Sequence, residues 1–371
     1  MDHEWRNEGE SSAWGPSLRQ ETTVGLARQA DRQRTVAAAL ETVADEVDLK
    51  KVRRVLVKPN FVTPYRQLAA THVDAVRAVL DFLRGRFSGP IVVGEGSALA
   101  PTLDAFDNYG YQALVAEYGV ELRDLNADET VGVTVFDRRM HPVRLHLART
   151  VAEADFRVSV CPPKTHDTVI VTLSIKNVVM GSLVNPYADQ RREAGGVAQR
   201  VLRGLGRLVP DWSGRRGLAE WVKGTLLGGP GGSQKMAMHQ GVPVINLNLA
   251  LVAPVVWPHL AVIDGWEGME GEGPGQGDSV PWHIALAGID PLAVDSLAAR
   301  LMGFEPDEVG YLHYCRQLGL GTIDPDAIRI AGNLRLEEAI RPFRPHPSLD
   351  EQRRWHLPSA ARYLRRCTEE A

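Results

Sequence analysis

The stretch KTHDTVIVTLSIKN, residues 164–177, sets two lysines, a histidine and an asparagine around an apolar run. Cations at both ends of a run that calls for burial are either solvated by accident or aimed at something negative. Asp167 as a cap and Gly181 as a stop predict a helix here. The β-branched residues Val169, Ile170, Val171 and Thr172 favour a strand instead; the helix is the expectation adopted. Lys164 and His166 then precede its first turn, where backbone N–H groups attract anions. Thr172 and Lys176, four residues apart, share a flank. The chemistry this suits is an anion cradle for phosphate or carboxylate, with His166 passing a proton near neutral pH. A helix cap with solvated lysines is the plainer alternative.

Other residues gather at equivalent places. In an open parallel sheet, ligands bind beyond the carboxyl ends of the strands. Lys58 and Asn60 follow one apolar run, Glu95 another, and Asp264, Glu267 and Glu270 a third, while Asp290 ends a fourth. Lysine is scarce: Lys50, Lys51, Lys58, Lys164, Lys176, Lys223 and Lys235 stand among 42 strong bases. Lys58, Lys164 and Lys176 are therefore candidates for a compact ammonium rather than a planar guanidinium. With Asn60, Thr172 and Asn177 they would bind substrate, and His166, Lys164 and Glu95 would carry the chemistry. Asp264, Glu270 and Asp290 are the candidate ligands for Mg²⁺ or another divalent cation. Their spacing matches no compact metal loop, and Asp290 serves equally well as a helix cap, with Asp295 behind it. His239, after Lys235, reads as a surface histidine that could also close over the site; His283 and His313 read as structural.

The elements that must position these groups alternate. VRRVLVKPN, PIVVGEGS, VELRDLN, FRVSVCPP, LAVIDG, HIALAGID and AIRIAG read as strands. Between them DRQRTVAAALETVADEV, THVDAVRAVLDFLRGRF, INLNLALVAPVV and PLAVDSLAARLMG read as helices. This predicts an α/β fold: a mostly parallel, Rossmann-like sheet with helices on both faces. Residues 130–147 read as a separate hairpin, and GMEGEGPGQGD as a glycine-rich acidic loop. The expected organisation is a flexible N-terminus (1–21), the first part of the domain (22–185), an irregular insertion or lid (186–240), the second part (241–333) and a loosely packed tail (334–371).

Composition narrows the function classes. A net charge of -4 implies no attraction to nucleic acid or an acidic membrane surface. No apolar run approaches the ~20 residues of a membrane span, and the polar N-terminus lacks the apolar core of a secretion signal, so a cytoplasmic protein is expected. Neither GxxxxGK[ST] nor a full GxGxxG is present, which disfavours both standard nucleotide sites. Cys161, Cys315 and Cys367 lie far apart, so no iron–sulfur cluster is expected within this chain.

The motifs VLVKPN, GEG, KTH followed by SIKN, AVIDGWEGMEGEGP and GIDPLAVDSLAARLMG resemble domain-of-unknown-function family 362, from about residue 22 to 332 with a break at 186–240. The resemblance implies an α/β domain, often joined to ferredoxin-type modules that this chain lacks. It marks Lys58, Asn60, Glu95, Lys164, His166, Lys176, Asn177, Asp264, Glu270, Asp290 and Asp295 as motif positions. The function expected is an enzyme on a small anionic metabolite, using metal-assisted or Lys/His acid–base chemistry. The alternatives are a redox protein with a separate iron–sulfur partner and a non-catalytic anion-binding module. A homo-oligomer is compatible with each.

Overall fold

The strand segments Val55–Val57, Ile91–Val93 and Leu260–Ile263 are apolar and buried throughout, as strands covered on both faces require. The structure, a computed structural model, describes residues 21–98, 101–185 and 234–369. The expected loose N-terminus up to residue 20, and residues 186–233 of the expected insertion, lie outside them. The strands are β1 (Thr22–Ala27), β2 (Val55–Lys58), β3 (Ile91–Glu95), β4 (Glu121–Asp124), β5 (Thr130–Phe136), β6 (Pro142–Ala148), β7 (Phe156–Cys161), β8 (Lys164–His166), β9 (Ile170–Thr172), β10 (Leu260–Glu270), β11 (Asp278–Gly288) and β12 (Ile328–Gly332). The main sheet runs β12-β1-β11-β10-β7-β2-β3-β4, with β8 and β9 joined to β10, while β5 and β6 form the separate hairpin expected. Every neighbour along that order is parallel except β11, which lies antiparallel between β1 and β10. The mostly parallel α/β fold is thus observed.

The helices up to residue 301 are α1 (Arg32–Glu41), α2 (Val73–Arg84), α3 (Thr102–Asn108), α4 (Ala113–Tyr118), α5 (Arg149–Ala152), α6 (Ser174–Ser182), α7 (Gln234–Ala237), α8 (Val242–Val256) and α9 (Pro291–Leu301). Alternation along each strand divides the core in two. Val55 and Val57 pack with Val36 and Leu40 of α1 and Val76 and Leu80 of α2. Leu56 joins the opposite cluster, with Ile175 and Val178 of α6, Leu249 of α8 and Val294 of α9. Helices therefore cover both faces.

Three expectations are corrected. The segment from Asp167 to Gly181 is not one helix: β8 and β9 form a small hairpin, and α6 begins only at Ser174. The β-branched run takes its strand preference because β8 finds a partner, Met269 of β10 pairing with Lys164. Consequently Thr172 lies on a strand and Lys176 on a helix, so they share no helical flank. The glycine-rich acidic loop is shorter than expected, since β10 continues to Glu270 and β11 starts at Asp278, which leaves 271–277 as the connection. The C-terminal segment is not loosely attached: Ala339, Phe343, Gln352, Trp355 and Leu364 are buried.

α1 lies directly on β1. A Cβ at Gly25 would fall 2.3 Å from the Ala39 carbonyl oxygen and 2.1 Å from Thr42 Oγ1. Only a glycine permits that approach. Gly25→Ala should lower the free energy of unfolding by about 1–3 kcal/mol. Urea denaturation checks this; an unchanged midpoint would mean the helix lifts off the strand without cost.

Candidate functional site

Lys58 closes β2 as a fully buried ammonium, and its three protons are all used. Nζ donates to Glu95 Oε1 and Pro59 O, each at 2.8 Å, and to Asn177 Oδ1 at 3.3 Å. Its path is open because Gly181 of α6 has no side chain; a Cβ there would lie 2.2 Å from Nζ. Glu95 closes β3, and its Oε1 also accepts the Phe61 N–H at 3.0 Å. Its Oε2 is buried without a partner. Asn177 ties the strands to α6: Nδ2 donates to Lys58 O (3.2 Å) and Ser159 Oγ (3.0 Å), while Oδ1 also accepts from Asn60 Nδ2 (3.2 Å). Lys164 donates to Asn60 Oδ1 and, at 3.2 Å, to Ala69 O.

The β8–β9 hairpin adds a second row. Its register sets Lys164 opposite Thr172 and His166 opposite Ile170, so Lys164, His166 and Thr172 share one face. Thr172 Oγ1 is buried and unpaired. His166 Nδ1 lies 2.9 Å from Asp167 Oδ1 and 3.0 Å from Thr168 N. That nitrogen is occupied, which leaves Nε2 for a ligand. His239 is not a free surface histidine: its ring lies 6.4 Å from that of His166 with planes 18° apart, and its Nδ1 donates to Lys235 O at 2.8 Å. Lys235, on α7, reaches in to donate to Gly96 O. Lys176, on the first turns of α6, is buried and makes no hydrogen bond with a described residue.

Asp295 secures α6. Its carboxylate accepts the N–H groups of Ser174 and Ile175, each at 2.9 Å, at the amino end of the helix. Asp167, the expected cap, does not serve, because the helix starts seven residues later. Burial nevertheless pushes the Asp295 carboxyl up to about 7 against those two N–H groups.

Electrostatics mark the lysines as a group. Burial pushes Lys164 down to about 7, Lys176 and Lys58 adding repulsion and Glu95 opposing it. Burial likewise holds Lys176 at about 8 against the attraction of Asp167, and Lys235 at about 8 against Glu95. His166 is held neutral, burial and Lys176 pushing it down to about 3. The four lysines thus converge where Glu95, Asp167 and Asp124 are the carboxylates acting on them, and burial makes the surplus charge unfavourable.

The carboxylates expected to bind metal do not meet. Asp264 faces the α1 side, 3.2 Å from Arg32 Nε, and burial raises its pKa. Glu270 lies six residues further along β10, roughly 20 Å away on an extended strand. It accepts the Arg344 N–H at 2.9 Å. Asp290 caps α9 through Ala293 N (3.0 Å) and also accepts Thr322 N (3.1 Å). Among the described residues no three His, Cys, Asp or Glu side chains form a group that could hold a metal ion. Glu267 bonds Ser279 Oγ at 2.5 Å, His283 stacks on Trp266 and His313 meets Asp307 at 3.0 Å.

The family described as domain of unknown function (DUF362) matches residues 55–300. The chain belongs to this family. No curated protein matches the chain. The family region spans Lys58 to Asp295 and so contains the lysine cluster and the α6 cap. It ends before the C-terminal segment, which supplies a residue with no motif to announce it. Gln352 Nε2 donates to His166 O at 2.8 Å, and its Oε1 accepts the Ile170 N–H. Ile170 sits at φ +67°, an unfavourable value for a β-branched residue. Gln352 therefore braces a strained turn directly under His166.

Gln352→Ala should lower stability by about 1–3 kcal/mol, because the buried Ile170 N–H and His166 carbonyl lose their partner. Urea denaturation measures it, and unchanged stability would show that the turn needs no brace.

Proposed function

We propose that the chain is an enzyme acting on a small anionic metabolite, bearing phosphate, diphosphate or carboxylate, at the lysine-lined end of the sheet. The observation that carries this reading is Lys176, a buried ammonium with no hydrogen-bond acceptor among the described residues, beside the depressed amines of Lys164 and Lys235. An anion would supply the missing acceptor and offset the mutual repulsion. Lys58 is a poorer ligand for substrate, being saturated by Glu95, Asn177 and Pro59. Its part is to hold Asn60 and Asn177 in place, and Asn60 in turn receives Lys164.

Lys164 is the favoured proton carrier. An amine near neutral pKa exists in both forms at working pH, so it can take a proton from a substrate or return one. His166, held neutral, would offer Nε2 as a hydrogen-bonding group rather than as a cation. Hydrolysis, elimination and group transfer all fit this set. A divalent cation fits it less well: the unpaired Glu95 Oε2 lies among lysines, and Asp264, Glu270 and Asp290 are engaged elsewhere. A redox role would rest on a partner protein, since burial keeps the Cys161 and Cys315 thiols protonated.

Sulfate is a suitable probe because its own charge does not change over the useful pH range. Lys164 and Lys176 lose charge as pH rises through about 7 and about 8, and a bound anion raises both values. Affinity measured by calorimetry should therefore be greatest below about pH 7 and fall steadily toward about pH 9. Lys176→Met should weaken binding at least about tenfold. A flat pH profile, or full turnover of an identified substrate by a folded Lys164→Ala enzyme, would contradict the proposal.

A further inference from the structure

A separate cavity opens on the α1 side of the same sheet edge. Its volume is about 360 Å³, within the range of small-molecule sites, and its walls include Arg32, Gln67, His72, Trp266, Glu267 and His283. The turn Gln67–Ala69 divides it from the lysine cluster: Gln67 lines the cavity, whereas the Ala69 carbonyl accepts from Lys164.

The backbone is distorted to build one wall. In the β10–β11 ladder Gly265 pairs with Ile284 and Glu267 with Pro281. Two residues of β11, Trp282 and His283, thus stand opposite Trp266 alone, which is a β-bulge. His283 takes φ +59° there, a position usually left to glycine. The bulge lays the His283 ring on the Trp266 indole, with centroids 4.4 Å apart and planes 23° apart. Trp282 turns the other way, into the core, and donates to Ala339 O at 2.7 Å. Bulges of this kind re-aim side chains beside binding sites. Packing alone needs neither a strained histidine nor a partly exposed tryptophan.

The polar groups define what fits. Arg32 is largely buried, with Nε 3.2 Å from Asp264 Oδ2 and Nη2 4.0 Å from Glu267 Oε2. These are ion pairs, yet Nε has no hydrogen-bond acceptor. The two carboxylates already exceed the guanidinium in charge, so a further anion is repelled. The guanidinium occupies the position a cation would need. An uncharged ligand with hydroxyl or carbonyl oxygens remains. His72 Nδ1 accepts from Asp74 N at 3.2 Å, so its proton sits on Nε2, a donor. Gln67 Nε2 is bonded to Ala70 O, leaving its Oε1 as an acceptor, and Glu267 Oε2 is a second. Hydroxyl groups answer both kinds at once, and the C–H face of a saturated ring suits the negative face of an indole.

We propose that this cavity binds a sugar ring, with its C–H face on Trp266 and its hydroxyls held by Arg32, His72 and Glu267. This site is independent of the anion reading.

Saturation-transfer NMR on the full chain with glucose, galactose, mannose and N-acetylglucosamine tests it. At about 10 mM, where even millimolar affinity registers, at least one sugar should receive saturation from the protein. The signal should fall at least about tenfold in Trp266→Ala and markedly in Glu267→Gln. Glu267→Gln, at a half-exposed position, guards against a folding defect in the first variant. Lys176→Met should leave the sugar signal intact while weakening sulfate binding at least about tenfold, which separates failure of one site from failure of the other. Silence from all four sugars, or equal signals in wild type and both variants, would overturn the proposal. So would binding of adenosine alone that depends on Trp266, since that would make the site a slot for flat heteroaromatic rings.

Discussion

The ion pair between Lys58 and Glu95 is the constraint around which this end of the molecule is organised. Both groups are essentially removed from water, and a buried pair holds only when its remaining protons and lone pairs are met. Lys58 meets that condition by drawing in the carbonyl of Pro59, the next residue along the chain, and Asn177 from α6. Glu95 draws in the Phe61 N–H. The ends of β2 and β3 and the face of α6 are therefore locked to one another through polar contacts. The apolar core alone would leave their register at the sheet edge free. Gly181 belongs to the same constraint, because any side chain there would occupy the place of the ammonium.

From this lock the rest of the site follows by contact. Asn177 holds Asn60, Asn60 receives Lys164, and Lys164 fixes the hairpin that carries His166 and Thr172. Two remote residues then set the outer parts. Asp295 anchors the first turn of α6, and with it Lys176 and Asn177. Gln352 anchors the hairpin turn from the C-terminal segment. Saturation stops at the Lys58 ammonium, since Glu95 keeps Oε2 buried and unpaired. Lys58 has every donor matched, whereas Thr172 Oγ1 is buried and unpaired and Lys176 makes no hydrogen bond with a described residue. Native proteins rarely leave such groups unmet unless something else is meant to meet them.

Much of this was readable from residue order, for a topological reason. Lys58, Asn60, Glu95 and Lys164 each follow an apolar run, and in a parallel sheet those runs end along one edge. The scarcity of lysine pointed the same way, and Lys235 completes the pattern from a segment whose own motif is weak. The hairpin was less legible because Asp167 and Gly181 look like helix punctuation, while the partner that makes β8 a strand lies on β10, 105 residues on. The caps were hidden for a related reason. Asp295 sits inside a helix and Gln352 in an Arg- and Glu-rich tail, and no local pattern shows that either meets the site hairpin or helix.

The misplaced metal centre follows from one assignment. If residues 268–278 were a flexible loop, Asp264 and Glu270 could fold back onto one ion. They lie instead on one continuous strand, where every residue adds about 3.3 Å. The same extension draws Glu267 and Trp266 out beyond the sheet edge, opposite the bulge at His283. On this strand Asp264 and Glu267 lie beside Arg32, while Glu270 is engaged by Arg344. The two regions consequently differ in charge: a surplus of ammonium groups on the α6 side, a small surplus of carboxylates on the α1 side. A single ligand chemistry cannot satisfy both. A molecule reaching across the Gln67–Ala69 turn would need a charged end and a neutral, hydroxyl-bearing end, and separate ligands would need one chemistry each.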